Sequence, residues 1–358
     1  MPGFFSRLFG GSTTRPTDAS DARAATPMQQ GKSPDLGTTE VPELDIFPLA
    51  TAPAAAQWTP RVAEYWTDRS AHVLERLRRE WQRDPECADW PDMELLFVDL
   101  AAPPEALVRQ LPAAARDAMA LCDNAALARS ELGNRLSRDP SLVQGLLRQA
   151  NGAFYGAGLS PILRVDAAID RIGLAGTRAV VLAACVDGLL SKPGAPYDGM
   201  LASVWEHMVS TGPIARSLAP QFGSDPEEAF AVALLHDVGK LVIFDRISAL
   251  RTTHRRSVRL PTAWLSLVLE QLHELLGAVA AHRWGLGARA ADAIGSHHRR
   301  ERPALRHPMA ETLFLAERAD HAARAKERFD FDGVWGLGQL PGDSMIARGV
   351  LGRHLQAA

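Results

Sequence analysis

The chain has little cysteine, no long apolar run, no large charge excess and no sustained two-residue alternation. Its three cysteines, Cys87, Cys122 and Cys185, are odd in number and far apart, which argues against a disulfide framework or a thiolate zinc site. They read as reduced, buried thiols and point to the cytoplasm. The longest strictly apolar run, AVVLAACV at 179–186, falls well short of the roughly 20 residues of a membrane span. The opening MPGFFSRLFGGS is too short in its apolar part for a secretory signal. A formal charge of −3 disfavours bulk attraction to nucleic acid or to an anionic membrane. The missing alternation removes the main signal for half-buried strands, and no tandem repeat is found.

What is present is apolar bulk, 46% of 358 residues, enough for a sizeable core. Residues 1–57 are rich in Pro, Gly, Thr, Ser and Ala without a period, and a disordered tail is expected there. A helical or irregular extension is expected over 58–104. In it Thr59 and Pro60 suit a helix start, and Val62, Tyr65, Trp66, Val73, Leu74, Leu77 and Trp81 recur at helical spacing. Periodicity leaves MELLFVDLA (93–101) open between strand and helix. From 105 onward helical patterns dominate, interrupted by KPGAPYDG at 192–199. The expectation is an all-α domain at 105–330, with one lobe at 105–190, a second at 200–330 and a C-terminal tail at 331–358.

The chemistry is concentrated in AFAVALLHDVGKLVIF (229–244), where His236, Asp237 and Lys240 interrupt an otherwise buried stretch. A carboxylate taken out of water without a partner costs about 3 to 5 kcal/mol, so something must compensate Asp237. One answer is local: Lys240, three residues on, faces Asp237 along a helix. That answer leaves His207, His273, His297, His298 and Asp320, on separate predicted helices, unexplained. Imidazole and carboxylate donors without thiolate suit Fe, Mn or a similar divalent ion, and so many donors suit two ions better than one. Two such ions can clamp the attacking and leaving oxygens of a phosphoester. Asn151 reads as a turn residue, and Trp205, Trp264 and Trp284 as core anchors. The basic segments at 251–259 and 299–308 are either solvated loops or phosphate holders, the latter pointing to Arg299 and Arg300. His72, His254, His282, His307, His321 and His354 are given no role.

The motifs QLPAAARDAMAL, LSRDPSLVQGLLRQANGAFYG, VDAAIDRIGLAGTRAVVLA, LLHDVGKL, HELLGAVAAHRWGL and AIGSHH occur in the order in which the HDOD family carries its own. The sequence therefore resembles HDOD, the HD-related output domain of bacterial signalling proteins within the HD metal-dependent phosphohydrolase superfamily. The resemblance covers about 105–300. It implies a divalent metal centre with ligands His207, His236, Asp237, His273, His297, His298 and Asp320. It also places Lys240 where related phosphodiesterases meet substrate phosphate. The implied function is regulatory output, exerted by binding a signalling partner protein or a nucleotide. The alternative it implies is a binuclear phosphohydrolase, with Asp237 and Lys240 in the chemistry. Two positions differ from the related HD-GYP phosphodiesterases: Ser203 replaces a Glu one turn before the first His, and RRERPALRH replaces the Gly-Tyr-Pro element. Cyclic-dinucleotide cleavage is accordingly not what the resemblance implies.

Overall fold

A computed structural model describes residues 66–68, 70–76, 78–79, 90–111, 113–123, 129–151, 153–156, 158–190, 197–298, 308–338, 340–341 and 343–355. The described residues contain helices and no strands, as expected. The tail expected over 1–57, together with Arg299 and Arg300, lies outside them. Among them, no helix is long and apolar enough to cross a membrane.

Over 66–79 the described residues are helical: Trp66 and Val73 are buried, and the Trp66 indole donates to Leu100 O at 2.8 Å. MELLFVDLA belongs to a helix, α1 (Trp90–Leu100), in which Met93, Leu96, Phe97 and Leu100 bury one face. Their spacing of three and four residues is helical, and this settles the ambiguity of a short apolar run. The first lobe continues with α2 (Ala113–Asp123), α3 (Arg129–Leu136), α4 (Pro140–Asn151) and α5 (Val165–Leu190). Asp139 caps α4 by accepting from Leu142 N at 3.3 Å. Asn151 braces the following turn, donating to Ile162 O at 2.8 Å and accepting from Ile162 N at 2.7 Å. The α5 helix is broken at Gly173, whose φ of 80° and ψ of 169° an L side chain rarely adopts.

The second lobe comprises α6 (Asp198–Phe222), α7 (Pro226–Leu235), α8 (Val238–His254), α9 (Thr262–Arg283), α10 (Ala288–Gly295) and α11 (Pro308–Ala325). Asp225 starts α7 by accepting from the amides of Glu227 and Glu228 at 2.9 and 2.8 Å, with Pro226 at the first helical position. The stretch expected as a C-terminal tail instead forms α12 (Phe331–Gly338) and α13 (Ser344–Leu355). Phe331, Ala347, Val350 and Leu351 bury an apolar face there, against α6 and α11. The two lobes meet where α5 packs on α7. At that seam Tyr155 donates to Glu227 at 2.5 Å, while Arg216 pairs with Glu227 and stacks over the Tyr155 ring at 4.1 Å.

Two glycines let α8 and α9 approach closely. A Cβ on Gly239 would stand 1.9 Å from His273 O, and one on Gly277 would stand 2.7 Å from the Ile294 side chain. This close approach sets His236 and Asp237, at the α7 to α8 turn, against His273 on α9.

Candidate metal centre

His236 and Asp237 form the two-residue turn between α7 and α8. Asp237 holds the N-cap position of α8, yet its carboxylate makes no cap hydrogen bond. It is turned into the protein, where 1% of the residue is exposed. Its Oδ2 accepts from Lys240 Nζ at 2.7 Å, so the local ion pair expected at i, i+3 is present. The pair does not satisfy the carboxylate, because Oδ1 is buried without a hydrogen bond.

Five imidazoles surround this carboxylate. On one side His273 and His297 bring Nε2 to 3.4 and 3.7 Å from Oδ1; on the other His236 and His207 bring Nε2 to 3.7 and 3.9 Å from Oδ2. His298 Nε2 lies 3.0 Å from His273 Nε2. Two further short Nε2 to Nε2 distances are 3.0 Å for His207 with His236 and 3.2 Å for His273 with His297. Four neighbouring pairs meet edge to face, at 74° to 84°, while His297 and His298 are tilted at 37°.

The outer nitrogens explain which way the rings face. His236 Nδ1 donates to Ala233 O at 2.7 Å, His273 Nδ1 to Leu269 O at 2.7 Å and His297 Nδ1 to Ile294 O at 2.6 Å. His236 and His297 thereby use carbonyls in the last turns of α7 and α10, which lack intrahelical partners. His207 Nδ1 faces Asp320 Oδ2 at 2.6 Å, and His298 Nδ1 faces Glu317 Oε1 at 3.3 Å. With the proton placed on Nδ1 by these acceptors, a neutral ring presents an Nε2 lone pair inward. Lone pairs about 3 Å apart repel, unless positive charge lies among them.

Burial keeps most of these rings neutral. Burial holds His236 down to about 3 and His298 to about 2, and it keeps His273 well below the usual imidazole range. Burial opposes ionisation of Asp237, but Lys240 and His236 outweigh it and hold the carboxyl well below its usual range. Glu317 is likewise buried and held ionised, chiefly by His298 and His297. Burial also works against a charge on His297, yet Glu317 and Asp237 raise it to about 9. Of these shifted rings His297 alone favours its proton, which a metal ion bound at its Nε2 would displace.

The donors fall into one group of Asp237, His273, His297 and His298 and another of His207, His236 and Asp237, sharing the carboxylate. Mixed imidazole and carboxylate donors fit a first-row divalent ion. Of the residues expected from sequence, His207, His236, Asp237, His273, His297 and His298 converge. Asp320 does not: it sits behind His207, on the nitrogen facing away from the cluster, and orients that ring. Lys240 is 18% exposed and engaged with Asp237. Sequence reasoning missed Glu317 and His321, which with His207 form a third group. Their i, i+4 spacing on α11, with Glu317 three residues before Asp320 and His321 directly after it, was the available signal.

Residues 108–300, more than half of the chain, match the model of the HDOD domain. This chain belongs to the HDOD domain family. Among solved structures, a candidate phosphohydrolase from Shewanella amazonensis SB2B superposes on the HDOD chain with a TM-score of 0.53 at 22% identity, covering 70% of this chain and 93% of that one. An HDOD domain protein of unknown function from Geobacter sulfurreducens gives 0.51 at 19% identity, covering 70% and 90%. Both show a common fold. A curated relative, an uncharacterized protein of Treponema pallidum (strain Nichols), is 24% identical over 197 residues, and the HDOD chain spans 37% of its length.

Proposed function

We propose that this HDOD chain is a regulatory protein of bacterial signal transduction. In this reading it carries a divalent metal centre, with two ions when fully loaded, and acts by binding a partner protein or a nucleotide. The observation that carries the centre is the inward convergence of five Nε2 atoms on Asp237, each ring having its other nitrogen against a carbonyl or carboxylate. His273, His297 and His298 would hold one ion, His207 and His236 the other, and Asp237 both; Fe or Mn suits such donors. A metal bound there supplies Lewis acidity and a strong local charge.

Two features favour regulation over hydrolysis. Lys240, which the phosphohydrolase alternative assigns to substrate phosphate, is held 2.7 Å from Asp237. His236, Asp237, His273 and His297 are at most 1% exposed, so a phosphoester has no direct approach to them. Partner or nucleotide binding is supported by the family.

The test is elemental analysis of protein purified without chelator, followed by a turnover screen of nucleotides and generic phosphoesters with added Mn or Fe. Bound metal that is lost in Asp237→Ala, with no turnover, is the expected result. Turnover abolished in Asp237→Ala and retained in the remote variant His72→Ala would move the assignment to a phosphohydrolase. Protein free of metal under every condition would overturn the centre itself.

A further inference from the structure

Beside the buried centre, α11 carries Glu317 and His321 one turn apart. Glu317 has a side chain only 1% exposed, and its Oε2 is buried without a hydrogen bond. Among the described residues its ion pairs are with histidines alone: Oε1 lies 3.3 Å from His298 Nδ1 and 3.4 Å from His321 Nε2. Two donors bound to one ion at bond lengths of about 2.1 Å and a near-tetrahedral angle stand about 3.4 Å apart, so the Glu317 and His321 atoms are already at ligand spacing. The neighbouring arginines are directed elsewhere. Arg318 donates to His298 O at 3.2 Å, and Arg324 pairs with Glu206 at 3.4 Å. His207 closes the inner side, its ring centroid 4.4 Å from that of His321. The His321 side chain is 53% exposed, whereas the other histidines near Asp237 are mostly buried.

We propose that Glu317 and His321, completed by water, form a further divalent-cation position on the solvent side of His207, whose own two nitrogens face Asp320 and the buried centre. It rests on the metal-centre reading above. The geometry suits a weaker, exchangeable ion, because one of its ligands is a half-exposed surface side chain and water completes the shell. A carboxylate that served only to orient His298 would need neither the orphaned Oε2 nor His321 at this spacing.

The experiment uses the full chain, stripped with chelator and titrated with Zn(II) alone, with stoichiometry read by calorimetry and elemental analysis. His321→Ala is expected to lose one equivalent, or to weaken the weakest class at least tenfold, while the tighter sites and the melting temperature of the stripped protein stay unchanged. Glu317→Gln is expected to lose the same class. Wild-type stoichiometry and affinity in His321→Ala would overturn the proposal while leaving the buried centre standing, and Glu317 would then be a positioning residue for His298. Absence of any binding by the wild type would remove both.

Discussion

Asp237 concentrates the conflict between burial and charge at the scale of one residue. Lys240 answers only one of its oxygens, so charge removal has two separable consequences. Asp237→Asn strands the Lys240 ammonium and is expected to destabilise the fold by about 3 kcal/mol in denaturant titrations. It is also expected to abolish detectable metal in the purified protein. Adding Lys240→Met should return much of the stability and none of the metal; recovery of metal in the double variant would show that Asp237 is not a ligand. Asp292, on α10, makes a different case. It forms no ion pair among the described residues, and burial raises its carboxyl from 3.8 to about 6. The folded state then binds this proton more tightly than the unfolded state, so the contribution is present below about pH 4 and is lost as pH rises through 6. Asp292→Asn should therefore flatten that part of the stability profile and raise the melting temperature at pH 7 to 8. An unchanged profile in thermal melts between pH 4 and 8 would refute it. The dyad and the paired histidines were legible because charge inside an apolar stretch is conspicuous in sequence. Glu317 was not, since AERAD reads as a solvated helix face until α11 is known to bury it, and Asp320 stood nearer the expected position.

The elements bring distant residues together through close contact, which a sequence shows only where glycine marks it. HDVGK and HELLG each carry such a glycine, Gly239 and Gly277. The 1.9 Å that a Cβ on Gly239 would leave to His273 O means that Gly239→Ala must push α8 from α9. The expected loss is about 3 kcal/mol or more, above the usual cost of a buried methyl because the obstacle is backbone. Metal affinity should fall with it, since the shift separates Asp237 from His273, and calorimetry on the variant checks both. The all-α class was legible from helical period and turn residues. The type of MELLFVDLA was not, because a short apolar run fits either period, and only its packing face decides. The C-terminal helices α12 and α13 were read as tail because glycines interrupt their apolar residues. Packing on α6 and α11 supplies what their own pattern lacks.

Over the whole molecule, the seam of Tyr155, Glu227 and Arg216 joins the lobes through groups that satisfy one another. The centre joins α6, the α7 to α8 turn, α9 and the segment after α10 through groups that share a need for positive charge. The two junctions should respond differently to solution conditions. A divalent ion that binds only the folded state stabilises it by about 2.7 kcal/mol at a free concentration of 100 times its Kd. At roughly 2 to 4 °C per kcal/mol for a domain of this size, chelator should lower the melting temperature by about 5 to 10 °C. Asp237→Asn should melt at one temperature with or without chelator. The seam contributes equally to both states of the wild type, so Glu227→Gln should lower both melting temperatures while preserving the gap between them. A chelator shift that persists in Asp237→Asn would place the stabilising ion somewhere other than among these histidines.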